Sequence, residues 1–331
     1  MEVAKTHRSP VGGLTHLNVL PNILEDELLA GYRSRIALMN GVQSTRQVAE
    51  LMSSSHSGGL AQPHHTAAFI ETAAIVNAMS VDELLRRHSY YRMVRGFDSN
   101  AVYSELDQRE RVTAAKLSIR NLGRRARLCP TCAEDDLQAH KFSYWRKRHQ
   151  LPGRFSCPVH GCGLLHVDDS SLIDQMPHEI VELTSGVDKA NRSKFISNPH
   201  ILLALDILEQ LNDHHTALNR DACMAAFRTE IRAQGQEPSQ PRWFSEFSAS
   251  IDAAFSLEWL HAAFPRSRFK AGTIRNFAIG CISDKTILTS NLAMAVIASM
   301  LYSTARDALL AMGVNRQLRG ATVSQIIGPQ H

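Results

Sequence analysis

Apolar residues recur at helical spacing along most of this chain. Between Glu25 and Met39, Leu28, Leu29, Tyr32, Ile36 and Met39 share one face, and Asn40-Gly41 is a good C-terminal stop. Ser44-Thr45-Arg46-Gln47 reads as a capping box, whose side chains satisfy free amides at a helix start, and it opens a short helix through Val48, Leu51 and Met52. Residues 53–62 have loop composition around Gly58-Gly59. Thr66 is placed to cap a helix with Phe69, Ile70, Ala73, Val76 and Met79 on its apolar face. Ser80-Val81-Asp82-Glu83 is a second capping box, ahead of Leu84 and Leu85. Two short helices joined by so tight a turn fit a helix-turn-helix, and also a plain helical hairpin with no DNA role.

Residues 171–198 are mixed in pattern. His200 to Leu211 then reads as a clear helix, and Gln234 to Pro241 has linker composition. Further helices are expected over Trp243 to Phe255 and Leu257 to Phe264. Thr289 or Ser290 caps a long apolar helix through Leu301, and Ser303 a last one ending at Gly313. Strand signals are few and cluster beside a cysteine-rich stretch.

That stretch contains Cys129-Pro130-Thr131-Cys132, a gap of 24 residues, then Cys157-Pro158-Val159-His160-Gly161. Each half is a knuckle, in which two ligands three positions apart turn toward one ion. Together they supply the four N/S ligands of a tetrahedral structural zinc site, Cys129, Cys132, Cys157 and His160, one Zn2+ per chain. Four protein ligands leave no open position for water or substrate, so the metal stabilises the fold. Cys162, two residues beyond His160, competes for the fourth position, and His140, His149 and His166 are near in sequence. His140 and His149 are expected on the surface. Cys223 and Cys281 lie in apolar helical patterns and read as small buried side chains.

The expected fold class is mainly α, with helix-turn-helix-like modules around a small central zinc-ribbon-like knuckle pair. The expected divisions are a helical domain over 1–110, a zinc module over 111–169, and a helical domain over 170–331 that splits near 234–241. A chain of 331 residues, 44% hydrophobic and 21% charged, has room for such modules and is not a disordered polymer. No apolar run approaches the roughly 20 residues that span a bilayer, and Met1 to Thr15 is polar, so the expected location is cytoplasmic.

The net charge of +4 permits nucleic-acid binding without requiring it. Its distribution says more. Lys116 to Arg127 and Lys141 to Arg154 each hold five bases and no acid, and Arg266, Arg268, Lys270 and Arg275 form a third unopposed stretch. Arg124, Arg125, Arg127, Arg146, Lys147 and Arg148 are therefore candidate contacts to a DNA or RNA backbone, with ordinary solvated surface as the competing reading. No GxSxG, HExxH, Walker loop or acidic triad is present, which argues against an enzyme. Glu134-Asp135-Asp136 reads as solvated loop surface.

The run from Cys129 to Leu165 resembles the central segment of TniQ proteins: CPTCAEDD, then YWRKRHQLP, then CPVHG followed by a Leu-Leu pair. Pro21 to Gly41, with Arg35 and Asn40-Gly41, and Ser80 to Phe97 resemble two further segments of that family in the same order. This chain departs from the family pattern at His149, where an aromatic is frequent, and by the added Cys162. The resemblance covers roughly residues 14–168. It implies a non-enzymatic adaptor in transposition, which joins an RNA-guided Cascade-type effector or a DNA site to an AAA+ ATPase regulator and its transposase. A zinc-containing helix-turn-helix transcription regulator is the alternative with the same DNA physics. Leu292 to Leu301 offers almost no polar side chain to reach base edges, so specificity is expected from partners. The helical faces would then serve as docking surfaces or a homodimer interface.

Overall fold

The computed structural model describes residues 17–54, 65–91, 103–119, 126–167, 174–183, 197–213, 218–238, 240–264, 270, 276–282 and 290–314. The elements run α1 (Leu29–Met39), α2 (Thr45–Ser54), α3 (His65–Val76), α4 (Val81–His88), α5 (Gln108–Ile119), β1 (Ala126–Leu128), α6 (Pro130–His140), β2 (Leu165–Val167), α7 (Pro177–Leu183), α8 (Pro199–Asp213), α9 (Arg220–Ala233), α10 (Pro241–Phe255), α11 (Leu257–Ala263), α12 (Asn276–Ile282), α13 (Asn291–Leu301) and α14 (Ala305–Ala311). The fold is mainly α, as its periodicity requires. β1 and β2 pair antiparallel, with Ala126 opposite Val167 and Leu128 opposite Leu165.

Caps set most of the helix starts. Ser44 Oγ accepts from the Gln47 amide and Ser80 Oγ from the Glu83 amide, as both capping boxes predict. Ser290 caps α13. Two expectations are corrected. α3 begins at His65, so Thr66 lies inside the helix and is not its cap. The last helix is capped by Thr304, whose hydroxyl accepts from the Asp307 amide, and not by Ser303. The loop expected over 53–62 lies mostly outside the described residues.

Among the described residues, two large apolar cores result, beside a small cluster of Cys129, Cys132, Cys157 and Leu164. α1 to α5 enclose Tyr32, Ile36, Val48, Met52, Phe69, Ile70, Leu84 and Ala115. The second core gathers α7 to α14 and runs on into the cysteine-rich segment through Leu128, Trp145, Leu151 and Phe155. Its axis is α13, whose residues from Asn291 to Ser299 are all buried and which packs most extensively on α8. A helix apolar on every side is interior by that fact alone. The faces expected to dock partners here are already covered by the protein's own helices.

The cysteine-rich segment joins both cores. The Leu28 amide donates to the Trp145 carbonyl and the Lys147 amide to the Asp26 carbonyl, each at 2.7 Å, a short antiparallel pairing to the N-terminal helices. Trp145 also lies against Gly31, where an added Cβ would stand 2.8 Å from the Trp145 Cβ. On the other side, Trp259 of α11 donates Nε1–H to the Gly153 carbonyl at 2.9 Å. Gly153 has φ +78°, and an added Cβ would meet the indole at 2.6 Å, so only glycine fits this contact.

Candidate metal centre

The two knuckles are built differently. Cys129 is the N-cap of α6 and Cys132 lies in its first turn, with Pro130 at the helix start, where a missing N–H costs nothing. The Cys132 amide donates to Cys129 Sγ at 3.4 Å. The second knuckle is a tight turn: the Gly161 amide donates to the Cys157 carbonyl at 2.9 Å, and the Cys157 amide to the Cys162 carbonyl at 2.8 Å. The His160 amide donates to Cys157 Sγ at 3.4 Å, mirroring the first knuckle. The β1–β2 pair and the bridge between Ser156 and Gly163 hold this turn against α6.

The geometry fits a tetrahedral zinc. The ligand atoms of Cys129, Cys132, Cys157 and His160 all lie within 4.8 Å of one another. Metal–sulfur bonds near 2.3 Å and metal–nitrogen bonds near 2.0 Å imply tetrahedral edges of about 3.5–3.8 Å. Cys132 Sγ is 3.5 Å from Cys157 Sγ, and His160 Nδ1 is 3.5, 3.3 and 3.7 Å from Cys129, Cys132 and Cys157. Three buried sulfurs and one imidazole nitrogen are the soft donor set zinc takes.

His160 Nδ1 faces all three sulfurs, where a fourth ligand would stand. Cys162 Sγ approaches Cys129 at 3.3 Å, and His149 Nε2 approaches Cys157 at 3.5 Å and Cys132 at 3.7 Å. The His160 Nε2 lies 3.1 Å from Asp135, a carboxylate that orients the ring and fixes Nδ1 as the lone-pair nitrogen. Asp135 is on α6, one turn beyond Cys132. The acidic trio is therefore helical and not a loop, and Asp136 is buried and paired with Arg146.

His140 is exposed, as expected. His166 stacks on Phe155 with ring centroids 5.6 Å apart. His149 departs from the expectation of a surface residue: it is buried against the cluster, and burial holds its imidazole below the usual pKa, in the neutral form at pH 7. No spacing rule connects position 149 to either knuckle. Hydrogen bonds from the Cys132 and Cys157 thiols, with the Cys132 amide, hold the Cys129 thiol far below the usual cysteine value, in the direction a thiolate ligand needs.

The six basic candidates separate. Arg124 and Arg125 lie outside the described residues. Arg127 is buried, and its Nη2 donates to the Gln150 carbonyl at 2.6 Å. Lys147 is buried too; its Nζ donates to the Arg86 carbonyl at 2.8 Å and stands 3.3 Å from Asp213. Arg127 and Lys147 thus brace the interior, a correction to their expected place on a phosphate-binding face. Arg146 pairs with Asp136 and lies over the Tyr144 ring at 4.6 Å. Arg148 remains the half-exposed member, 3.1 Å from Glu209.

The family model for TniQ matches residues 19–164, from the segment leading into α1 through the second knuckle. Over that span the chain matches the TniQ family. The match associates that span with transposition and target selection. The matched span ends one residue before β2, so it takes in the whole ligand set and the bonds by which the knuckles hold α1. A comparison with curated proteins finds no match. Among the described residues, no helix is long and apolar enough to cross a membrane.

Proposed function

We propose that this protein is a non-enzymatic target-selection adaptor, which links a target-recognition complex to the transposition ATPase. The recognition complex is an RNA-guided effector of the Cascade type or a DNA site. The observation that carries this reading is the family match over residues 19–164, coinciding with a closed ligand set of three cysteines and one histidine. A zinc so enclosed stiffens a scaffold and leaves no coordination position for hydrolysis. The metal is structural zinc held by Cys129, Cys132, Cys157 and His160, and the protein works in the cytoplasm beside DNA.

Burial of Arg127 and Lys147 supports a partner-led mode of targeting, because it removes two cations from any direct phosphate contact. Residues 111–169 serve as the zinc module, with α5 lent to the N-terminal core, and join helical domains over 1–110 and 170–331. Alone, the protein binds DNA weakly and with little preference among sequences. Co-purification of the full chain with the transposition ATPase and with the RNA-guided effector tests the proposal, and a stable complex with either is the expected result. A footprint of the isolated protein on one short DNA sequence, persisting at physiological salt against excess competitor, would favour a direct site reader instead.

A further inference from the structure

We propose that His149 is a positioning residue of the metal centre, whose Nε2–H caps the edge between Cys132 and Cys157 and holds both sulfurs in the arrangement that grips the ion. This rests on the zinc reading of the knuckles and adds a side chain that their spacing does not contain.

His149 Nε2 stands 3.5 Å from Cys157 Sγ and 3.7 Å from Cys132 Sγ. A thiolate can only accept, so the nitrogen facing it carries the proton. The ring is not free to choose this place. His149 sits in a short 3-10 turn over Arg148–Gln150 whose two sides are tied down. The Arg148 amide donates to Asp26 Oδ1 at 3.1 Å on one side. On the other, Gln150 accepts from the Arg127 amide at 2.8 Å and donates to the Arg127 carbonyl at 2.6 Å. A buried ring so held is pre-organised for its two sulfurs.

The charge of the centre gives the cap its use. Three thiolates and a neutral imidazole around a divalent ion leave one net negative charge in a buried place. Donors aimed at sulfur offset it. The knuckle amides serve Cys129 and Cys157, each at 3.4 Å. His149 adds a donor shared by Cys157 and Cys132. It is not a ligand, since His160 Nδ1 already faces all three sulfurs and completes the tetrahedron.

The test uses the full chain loaded with zinc, and separately with cobalt, in the wild type, His149→Phe and His149→Gln. Phe fills the space without a donor, and Gln returns an N–H near the Nε2 position. Expected results are about one metal per chain in all three proteins, and zinc release to a chromogenic chelator about 10- to 100-fold faster for His149→Phe at fixed pH. The sulfur-to-cobalt charge-transfer band should move to lower energy in His149→Phe, because an uncapped thiolate gives up its electron more easily, and return in His149→Gln. A band position and release rate equal to wild type in His149→Phe overturn the proposal. So does a folded His149→Phe protein that holds no metal, which would make His149 a ligand. His149→Leu gives the same donor-free comparison should Phe prevent folding. A wild-type chain that folds without any metal would instead remove the centre itself.

Discussion

Arg35 and Glu27 provide the sharpest test of how the N-terminal helices are held. Arg35 donates from Nε and Nη2 to the two Glu27 carboxylate oxygens at 2.8 and 2.7 Å, with side-chain exposures of 2% and 0%. Nη2 also donates to the Asn22 carbonyl at 2.7 Å, and the guanidinium lies 5.4 and 5.2 Å from the Tyr32 and Phe142 ring centroids. Replacing Arg35 by Leu strands a carboxylate in the core. Breaking a buried pair in this way costs about 3–5 kcal/mol. At about 2–4 °C per kcal/mol for a chain of this size, the melting temperature should fall by about 6–20 °C. The loss depends on pH. Burial raises the Glu27 carboxyl above its ordinary value, while the hydrogen bond and charge of Arg35 pull it back. Without Arg35 only the Leu24 amide still opposes the upward push. An acid whose folded pKa exceeds its unfolded one binds more protons when folded. The stability it brings is present at low pH and disappears as pH rises through the folded value. The deficit of Arg35→Leu relative to wild type is therefore larger at pH 8 than at pH 5. Removing both charges in Glu27→Leu/Arg35→Leu should recover much of it. Circular-dichroism melts of the zinc-loaded proteins at both pH values provide the measurement. A single variant within about 1 kcal/mol of wild type at pH 8, or an equal deficit at both pH values, refutes the argument.

Three further outcomes are expected. Cys132→Ser should carry no zinc by elemental analysis and should melt well below wild type, since structural zinc contributes folding free energy directly; a metal-free Cys132→Ser with the wild-type melting temperature would show the centre to be dispensable. On duplex DNA, Arg148→Ala should flatten the log–log salt dependence of binding by about 0.9 if Arg148 meets one phosphate. Lys147→Ala, which removes an internal brace, should lower stability and leave that slope unchanged. Fluorescence anisotropy across a salt series separates them, and an equal slope change in Lys147→Ala would put that side chain on the phosphates.

Local features of the fold were legible where neighbours in sequence are also neighbours in space. The two capping boxes and the knuckles with ligands three apart are of this kind. The unread parts depend on distant partners. Lys147 sits in a run of bases that looks solvated, yet its counter-charge Asp213 arrives from α8. His149 meets Cys132 only because the 3-10 turn folds back across α6. For α13, apolar residues on every side were consistent with either an interior helix or a docking face. Packing by α8 decides for the interior. The choice among His160, Cys162 and His149 as fourth ligand likewise required distances, since spacing alone ranks His160 first without excluding the others.

The bonds that the cysteine-rich segment makes to both sides also order the birth of this protein in time. The Asp26 carboxylate waits for the Arg148 amide across 122 residues of chain, and the Gly153 carbonyl waits for the Trp259 indole across another 106. At synthesis rates of about 5–20 residues per second, the first delay lasts about 6–24 s and the second is of similar length. During the first interval the edge beside α1 has no strand to pair with. The knuckles emerge just as that edge is closed, so zinc captured at that moment secures the N-terminal half before the last helices leave the ribosome. A cell short of zinc would then be left with nascent chains whose Asp26–Leu28 edge stands unpaired, in reach of proteases and chaperones, while translation continues behind it.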